Sequence, residues 1–569
     1  MDEKQEQKFH QLTEEPVGRL ISQLAVPCII SMLVTAFYNM ADTFFVGMLR
    51  SNAATGAVGV VFSMMAVIQA IGFFFGHGSG NFISRELGKH HMEEASNMAA
   101  TGFFTALFTG LAICILGEIF LTPLATLLGS SPTILPYAKD YLGVILLGAP
   151  WMTASLVLNN QLRFQGNAIY GTIGIVSGAV LNIGLDPLLI FTFDMGVAGA
   201  AWATIISQFA SFCLLLAGCT RGGNLHIQFS RFQLKWSYFK LIIQGGLPSL
   251  ARQSLASVAT ICLNHAAMPY GDAAIAAMGV VQRITTFGAS AMIGFGQGFQ
   301  PVCGFNYGAQ LYHRVREGFW FCVKVATVFL LAAGAVGFVF APQLIALFRD
   351  DPEVISIGTV ALRFQCVTFF FQGWITMSNM MLQTIGRTVP ATFIAMARQG
   401  VFFIPLVWIL SLSPLGLLGI QMSQSVSDLL TLPVATPTQL CVPGQRPRMH
   451  PAKGESRKNA PAATAAGASL FSPLMRAEAP APRRPAPRPP GCCSSSPHPD
   501  RRRRARLLRR GPRAASPLRR RDSPPPDPGR RGPGARPGRS GRGWRPPAGP
   551  APRPRPPGTR SLPRGNKGR

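Results

Sequence analysis

The chain has 569 residues, 48% of them hydrophobic, yet it carries a formal net charge of +29. The charge sits at one end. Residues 441–569 hold 32 Lys and Arg against 5 Asp and Glu, leaving 21 against 19 for residues 1–440, so the basic balance does not make the main body a nucleic-acid-binding protein. Eleven cysteines, with no CxxC pair in the body, give neither a metal-ligand spacing nor a disulfide framework.

The first fifteen residues, MDEKQEQKFHQLTEE, are polar and acidic and lack the short apolar core of a removable signal peptide. Twelve apolar runs follow. They begin near Gln23, Ala54, Asn97, Asp140, Gly171 and Gly196 in the first half, and near Ile243, Ala273, Gly318, Ile357, Pro390 and Leu415 in the second. Each is long enough, at about 1.5 Å per residue, to cross a hydrocarbon core of about 30 Å. Arg85, Lys89, Arg163, Arg221, Arg231, Lys235, Lys240, Arg314, Arg316 and Arg387 fall in alternate loops. The positive-inside rule therefore predicts that both ends of the body are cytoplasmic in a multi-pass cell-membrane protein.

The two halves repeat. A shift of 220 positions brings Gly59 onto Gly279, Gly76 onto Gly296, Gly88 onto Gly308, Pro132 onto Pro352, Asn159 onto Asn379 and Gly166 onto Gly386. Copies with an even number of spans insert the same way up. The expected fold is an all-α polytopic membrane protein of twelve transmembrane helices, in two six-helix lobes related by a pseudo-two-fold axis along the membrane normal. The expected organisation is a cytoplasmic segment 1–15, an N-lobe 16–219, a cytoplasmic linker 220–240, a C-lobe 241–436 and an Arg/Pro-rich tail 437–569. Such a pair of bundles favours a transporter over a receptor or a membrane enzyme, and no nucleophile-base or metal motif lies in the spans.

Two acids sit inside apolar runs: Asp42 in the first and Asp186 in the fifth. An aspartate at a helix centre costs roughly 3 kcal/mol to insert, so each marks a functional site by default. Asn182, four residues before Asp186, shares its helix face. The bland reading is that both acids hydrogen-bond kinked helices, with Pro187 making the kink.

The segments FYNMADTFFVG (37–47), LNIGLDPLLIF (181–191), GVAGAAWAT (196–204) and GFGQGFQPVCGFNYGA (294–309) resemble the multidrug and toxic compound extrusion (MATE) family, in its bacterial MepA-like branch. The resemblance covers about residues 16–435. It implies secondary active export of lipophilic organic cations and toxic compounds in exchange for H⁺ or Na⁺, with no other cofactor. It also places a cation-coupling site on Asp42, Asn182, Asp186 and Thr204, with Tyr38 lining the same cavity. Two carboxylates, an amide oxygen and a hydroxyl suit a hard monovalent cation. The same acids, desolvated and close together, suit a proton. A lipid-linked oligosaccharide flippase of the same superfamily is the alternative, and the acidic N-lobe site argues against it.

The second half lacks those acids, since Phe402 and Leu406 stand where Asn182 and Asp186 would repeat. It carries Arg252, Arg283 and Arg398 in apolar spans and Asp428 in the last one. Buried arginines pair. A C-lobe polar network of these four is expected, with Gln253, Gln282 and Gln399 supplying further contacts. Tyr38, Phe62, Met64, Met65, Phe287 and Met292 are candidates for a cavity that takes flat cations. Lipid-facing positions remain the commoner use of such residues. His77, between Gly76 and Gly78, reads as a loop-end histidine, with a proton acceptor as the alternative.

The tail cannot bury a core and is expected to be disordered. Its Arg-rich, Lys-poor composition is what GC-rich DNA gives in a wrong reading frame, so a frameshift or misassembly after about residue 436 is expected. The expected partners are small lipophilic cations and the bilayer, with no specific nucleic acid, and the protein is expected to be a monomer.

Overall fold

The computed structural model describes residues 3–48 and 52–436, so the tail expected from residue 437 lies outside the described residues. Twelve rods run through them. In the N-lobe these are α1 (Val17–Gly47), α2 (Asn52–Gly88), α3 (Met92–Ile119), α4 (Leu135–Phe164), α5 (Ala168–Pro187, ending in a π turn Leu188–Thr192) and α6 (Gly196–Cys219). In the C-lobe they are α7 (Trp236–Ala267), α8 (Asp272–Gly308), α9 (Tyr312–Val339), the broken α10 (Pro352–Thr368 and Phe371–Thr384), α11 (Thr388–Met396, a π turn Ala397–Val401, then Phe403–Leu412) and α12 (Leu417–Ala435).

Among the described residues, eight helices are long and apolar enough to cross a membrane, and α10, bent by 58° at its break, makes a ninth. The remaining three rods, α7, α8 and α12, all lie in the C-lobe. Arg252, Arg283 and Asp428, with several glutamines, lower their apolar content. Lipid-facing stripes are explicit elsewhere. On α3, Leu111, Ile115 and Ile119 are exposed at four-residue spacing, the pattern of one helix face.

The repeat is visible in the contacts. Gly76 packs on Asn160 and Gly296 on Met380; Gly199 packs on the Leu189 carbonyl and Gly419 on the Leu410 carbonyl. Each second contact lies 220 or 221 residues beyond the first. Across the lobes the contacts are reciprocal: Gly88 meets the Phe305 carbonyl while Gly308 meets the Arg85 carbonyl. That exchange is what a two-fold axis between the lobes requires. The bundle is thus two six-helix lobes of one design.

The lobes close on each other at the end carrying the N-terminus. A Cβ at Gly246 of α7 would stand 2.3 Å from the Phe74 carbonyl, and one at Gly298 of α8 would stand 2.5 Å from Ala25 Cα, so only glycine permits these backbone approaches. Arg85 Nη1 of α2 donates to the Thr384 carbonyl of α10 at 2.5 Å. Over this end lies a short helix, Glu3–Glu14, whose Leu12 is 2% exposed. Lys8 Nζ donates to Asn224 Oδ1 at 3.1 Å, and Asn306 Nδ2 donates to the Leu12 carbonyl at 2.9 Å. A segment that reads as merely polar is therefore docked on both lobes.

Candidate functional site

Helix α5 is built to hold Asp186 against its neighbours. Its small residues admit α6 closely: Gly174 packs on Leu215, Gly178 on Ser211, and Gly199 of α6 on Leu189 and Ile190. This antiparallel register brings Asp186 level with Ala203 and Thr204. After Asp186, Pro187 cannot donate a backbone hydrogen bond. The chain responds with a π turn, in which the Phe193 N–H reaches back five residues to the Leu188 carbonyl at 3.0 Å, a local widening common at functional sites.

Helix α1 runs beside α5 in the same direction. Ser31 Oγ donates to Thr172 Oγ1 at 3.0 Å, and Thr172 Oγ1 donates to the Pro27 carbonyl at 2.9 Å. With equal rise per residue, that register puts Asn182 level with residues 37–41, including Tyr38. It puts Asp186 level with residues 41–45, including Asp42. The side chain of Asp42 lies outside the described residues.

The described members are all buried and oxygen-bearing. Asp186 is 0% exposed, Asn182 and Thr204 are each 1% exposed, and Tyr38 is buried too. Asn182 Nδ2 donates to Asp186 Oδ1 at 3.3 Å. Asn182 Oδ1 and Thr204 Oγ1 are buried with no hydrogen-bond partner among the described residues. An orphaned buried acceptor costs about 1–3 kcal/mol. An acceptor of this kind on Asn182, whose amide already touches the Asp186 carboxylate, is one that a proton or hard cation could satisfy.

The C-lobe divides the four residues expected to form one network. Arg398 Nε donates to Asp428 Oδ1 at 2.7 Å, and the same carboxylate accepts from Gln424 Nε2 at 3.1 Å and Gln372 Nε2 at 3.4 Å. Ser427 Oγ donates to the Arg398 carbonyl at 2.6 Å, satisfying an acceptor inside the π turn of α11. This hub ties α10 just after its break to α11 and α12. Arg252 and Arg283 stand outside it, making no hydrogen bond or ion pair among the described residues. The expected glutamine partners also differ, because Gln372 and Gln424 serve the hub and Gln399 Oε1 is left buried without a partner. Gln424 was findable, four residues before Asp428 as Asn182 is before Asp186. Gln372 offered no such signal.

The cavity candidates separate too. Met64 and Met65 pack in the N-lobe core with Val46, Ile68 and Ile190, and Met292 packs in the core of the lobe junction. Phe62 and Phe287 are exposed, and Phe287 meets Phe37 of α1 with ring centroids 5.5 Å apart. His77 is not at a loop end. It lies inside α2, 2% exposed, its Nε2 3.4 Å from Arg163 Nη2.

Two repeated six-helix lobes, closed at one end and holding a buried Asn182–Asp186 pair in one of them, define a transporter with two bundles. The MatE family model matches residues 27–188 and again residues 248–409, two segments starting 221 residues apart. The chain belongs to the MatE family of multidrug and toxic compound extrusion transporters. It is 27% identical over 426 residues to the multidrug export protein MepA of Staphylococcus haemolyticus (strain JCSC1435), covering 75% of this chain and 93% of that protein. Among solved structures it resembles the outward-facing conformation of a multidrug resistance MATE family transporter of the MOP superfamily, with a TM-score of 0.72 and 27% identity, covering 76% of this chain and 97% of that one. A MATE protein in its bent conformation gives the same TM-score, identity and coverages.

Proposed function

We propose that this chain exports lipophilic organic cations from the cytoplasm by exchange against H⁺ or Na⁺, with Asp186, Asn182, Thr204 and Asp42 as the coupling site. The observation that carries the reading is the buried Asn182–Asp186 pair at 3.3 Å with uncompensated acceptors on Asn182 and Thr204. The end where the lobes meet is the cytoplasmic one in this reading, so the cleft opens outward. Loading the acids with a cation removes their charge. It thereby changes the relative stability of two arrangements of α1 against α5, and coupling needs no more than that differential affinity. Alternating access follows from rocking the lobes about the contacts between α1 and α8 and between α2 and α7.

Ethidium efflux from cells, with the pH gradient and the Na⁺ gradient collapsed separately, tests it. One of the two treatments stops efflux by the wild type. Asp186→Asn inserts in the membrane at wild-type levels and loses efflux at least tenfold. Efflux indifferent to both gradients, or wild-type efflux by Asp186→Asn, contradicts the coupling assignment.

A further inference from the structure

The linker between the lobes carries charge of one sign. Between Asp194 and Asp272 the chain has no Asp or Glu, and residues 220–240 hold Arg221, Arg231, Lys235 and Lys240. Arg221, Lys235 and Lys240 are exposed and Arg231 is half-buried. Their side chains make no hydrogen bond or ion pair among the described residues. Large apolar side chains are interleaved with them: Phe229 is 63% exposed, Leu234 79% and Trp236 71%. Scattered singly, such residues need no explanation; gathered on one short connection, they mark a surface that meets something.

The path of the linker says what it meets. On α3, Phe104, Phe108, Leu111, Ile115 and Ile119 fall within a stripe of about 80° at 100° per residue. The last four are exposed, as a face turned to lipid is, while Phe104 is partly covered by the linker. The Phe229 ring meets Phe104 edge-on with centroids 5.1 Å apart, the Phe232 ring meets Phe108 at 6.2 Å, and the Phe229 and Phe232 rings stack at 5.9 Å. The Gln233 N–H then donates to Thr101 Oγ1 at 3.1 Å, and the Tyr238 hydroxyl donates to Glu94 Oε2 at 2.6 Å. The linker thus runs along α3 toward its first turn, where Glu93 and Glu94 stand and Glu94 is taken up by Tyr238. The lipid-facing stripe of α3 continues into the aromatic rings of the linker, and the cations follow beside them. Aromatic rings with Lys and Arg alongside are what a protein places at the boundary between acyl chains and headgroups.

We propose that residues 229–240 form a docking surface for anionic phospholipid. Phe229, Leu234 and Trp236 enter the headgroup boundary of the leaflet, and Arg231, Lys235 and Lys240 hold its phosphates. The surface follows from the fold and does not require the export reading. Charge complementarity selects the occupant: cations near an anionic leaflet are attracted to it within a screening length. The chain's own end does not fit, because residues 441–569 hold 32 Lys and Arg against 5 Asp and Glu and are repelled by a cationic surface. A groove on a protein partner would accept the apolar side chains without being continuous with the lipid-facing stripe of α3.

The test uses the full-length protein in phosphatidylcholine vesicles, with one-third of the lipid replaced by acyl-brominated phosphatidylglycerol or by acyl-brominated phosphatidylcholine. The Trp236 signal is the difference in fluorescence between the wild type and Trp236→Phe. Brominated phosphatidylglycerol is expected to quench it at least threefold more strongly than brominated phosphatidylcholine. In the combined variant Arg231→Gln, Lys235→Gln, Lys240→Gln the two lipids quench equally, whereas Lys235→Arg with Lys240→Arg keeps the preference and shows that the loss follows charge rather than misfolding. Equal quenching by both lipids in the wild type, or a preference that survives removal of the three charges, overturns the proposal. So does a Trp236 signal that neither lipid quenches, the result expected if a protein partner or water covers this surface.

Discussion

Thr204 separates a structural account of the N-lobe cluster from a functional one. Its hydroxyl is buried, 1% exposed, and without a partner among the described residues. If the cluster served only stability, replacing that hydroxyl by a methyl group would be a gain, because an unsatisfied buried donor-acceptor costs about 1–3 kcal/mol. Thr204→Val is therefore expected to melt at or above the wild-type temperature in cation-free detergent. It loses the rise in melting temperature that saturating Na⁺ or low pH gives the wild type, since a ligand stabilises only the state it binds. A variant that melts lower and still responds fully to the cation assigns Thr204 to the scaffold. The burial of Asp186 was legible from the sequence because charge in an apolar run is expensive wherever the helix turns. The separation of Arg398 from Arg252 and Arg283 was not. Pairing depends on which faces of α7, α8, α11 and α12 converge, and spacing along each helix carries no such information. His77 misled for a related reason: its flanking glycines look like chain punctuation, but Gly76 and Gly78 are small to admit Asn160 and the Ile242 carbonyl.

At the scale of elements, the short helix Glu3–Glu14 is the least anticipated piece. Its apolar residues are few, and their partners lie far along the chain: the Phe9 and His90 rings meet at a tilt with centroids 4.0 Å apart, and Leu12 packs against Gly166. Burial pulls the Lys8 ammonium down to about 8 from an ordinary 10.5. A lowered base binds its proton more weakly when docked than when free, so between pH 8 and 10.5 the undocked helix holds more protons. Docking therefore strengthens as pH rises through that window and is weakest below pH 8. Amide exchange over residues 3–14, corrected for intrinsic rate, is expected to slow between pH 7 and 9. The slowing disappears in Lys8→Met, and an identical pH response in that variant assigns the effect to another group. The rods themselves were legible, their starts less evenly so: those expected near Gly196, Ala273 and Leu415 fall at Gly196, Asp272 and Leu417, whereas those expected near Gln23, Ile243 and Gly318 fall six or seven residues earlier, at Val17, Trp236 and Tyr312. Long periodic elements announce themselves, whereas a helix of twelve residues needs its docking surface to exist.

For the whole molecule, the repeat and the asymmetry belong together. Reciprocal glycine contacts make the lobes equivalent as scaffolds, while among the described residues the N-lobe carries the buried Asn182–Asp186 pair and the C-lobe the Arg398–Asp428 hub. One lobe senses the cation and the other follows, in the account proposed above. Its central claim is thermodynamic competition: if the cation and the exported compound bias the same two-state equilibrium oppositely, each lowers the affinity for the other by the same factor. The most direct measurement is the apparent Kd of ethidium for detergent-purified protein, titrated across Na⁺ concentration at fixed pH and across pH at fixed Na⁺. The wild type is expected to bind ethidium at least tenfold more weakly at the loaded end of one of the two series, and Asp186→Asn is expected to give a flat line in both. A flat wild-type response, or the same slope in Asp186→Asn, would contradict the account.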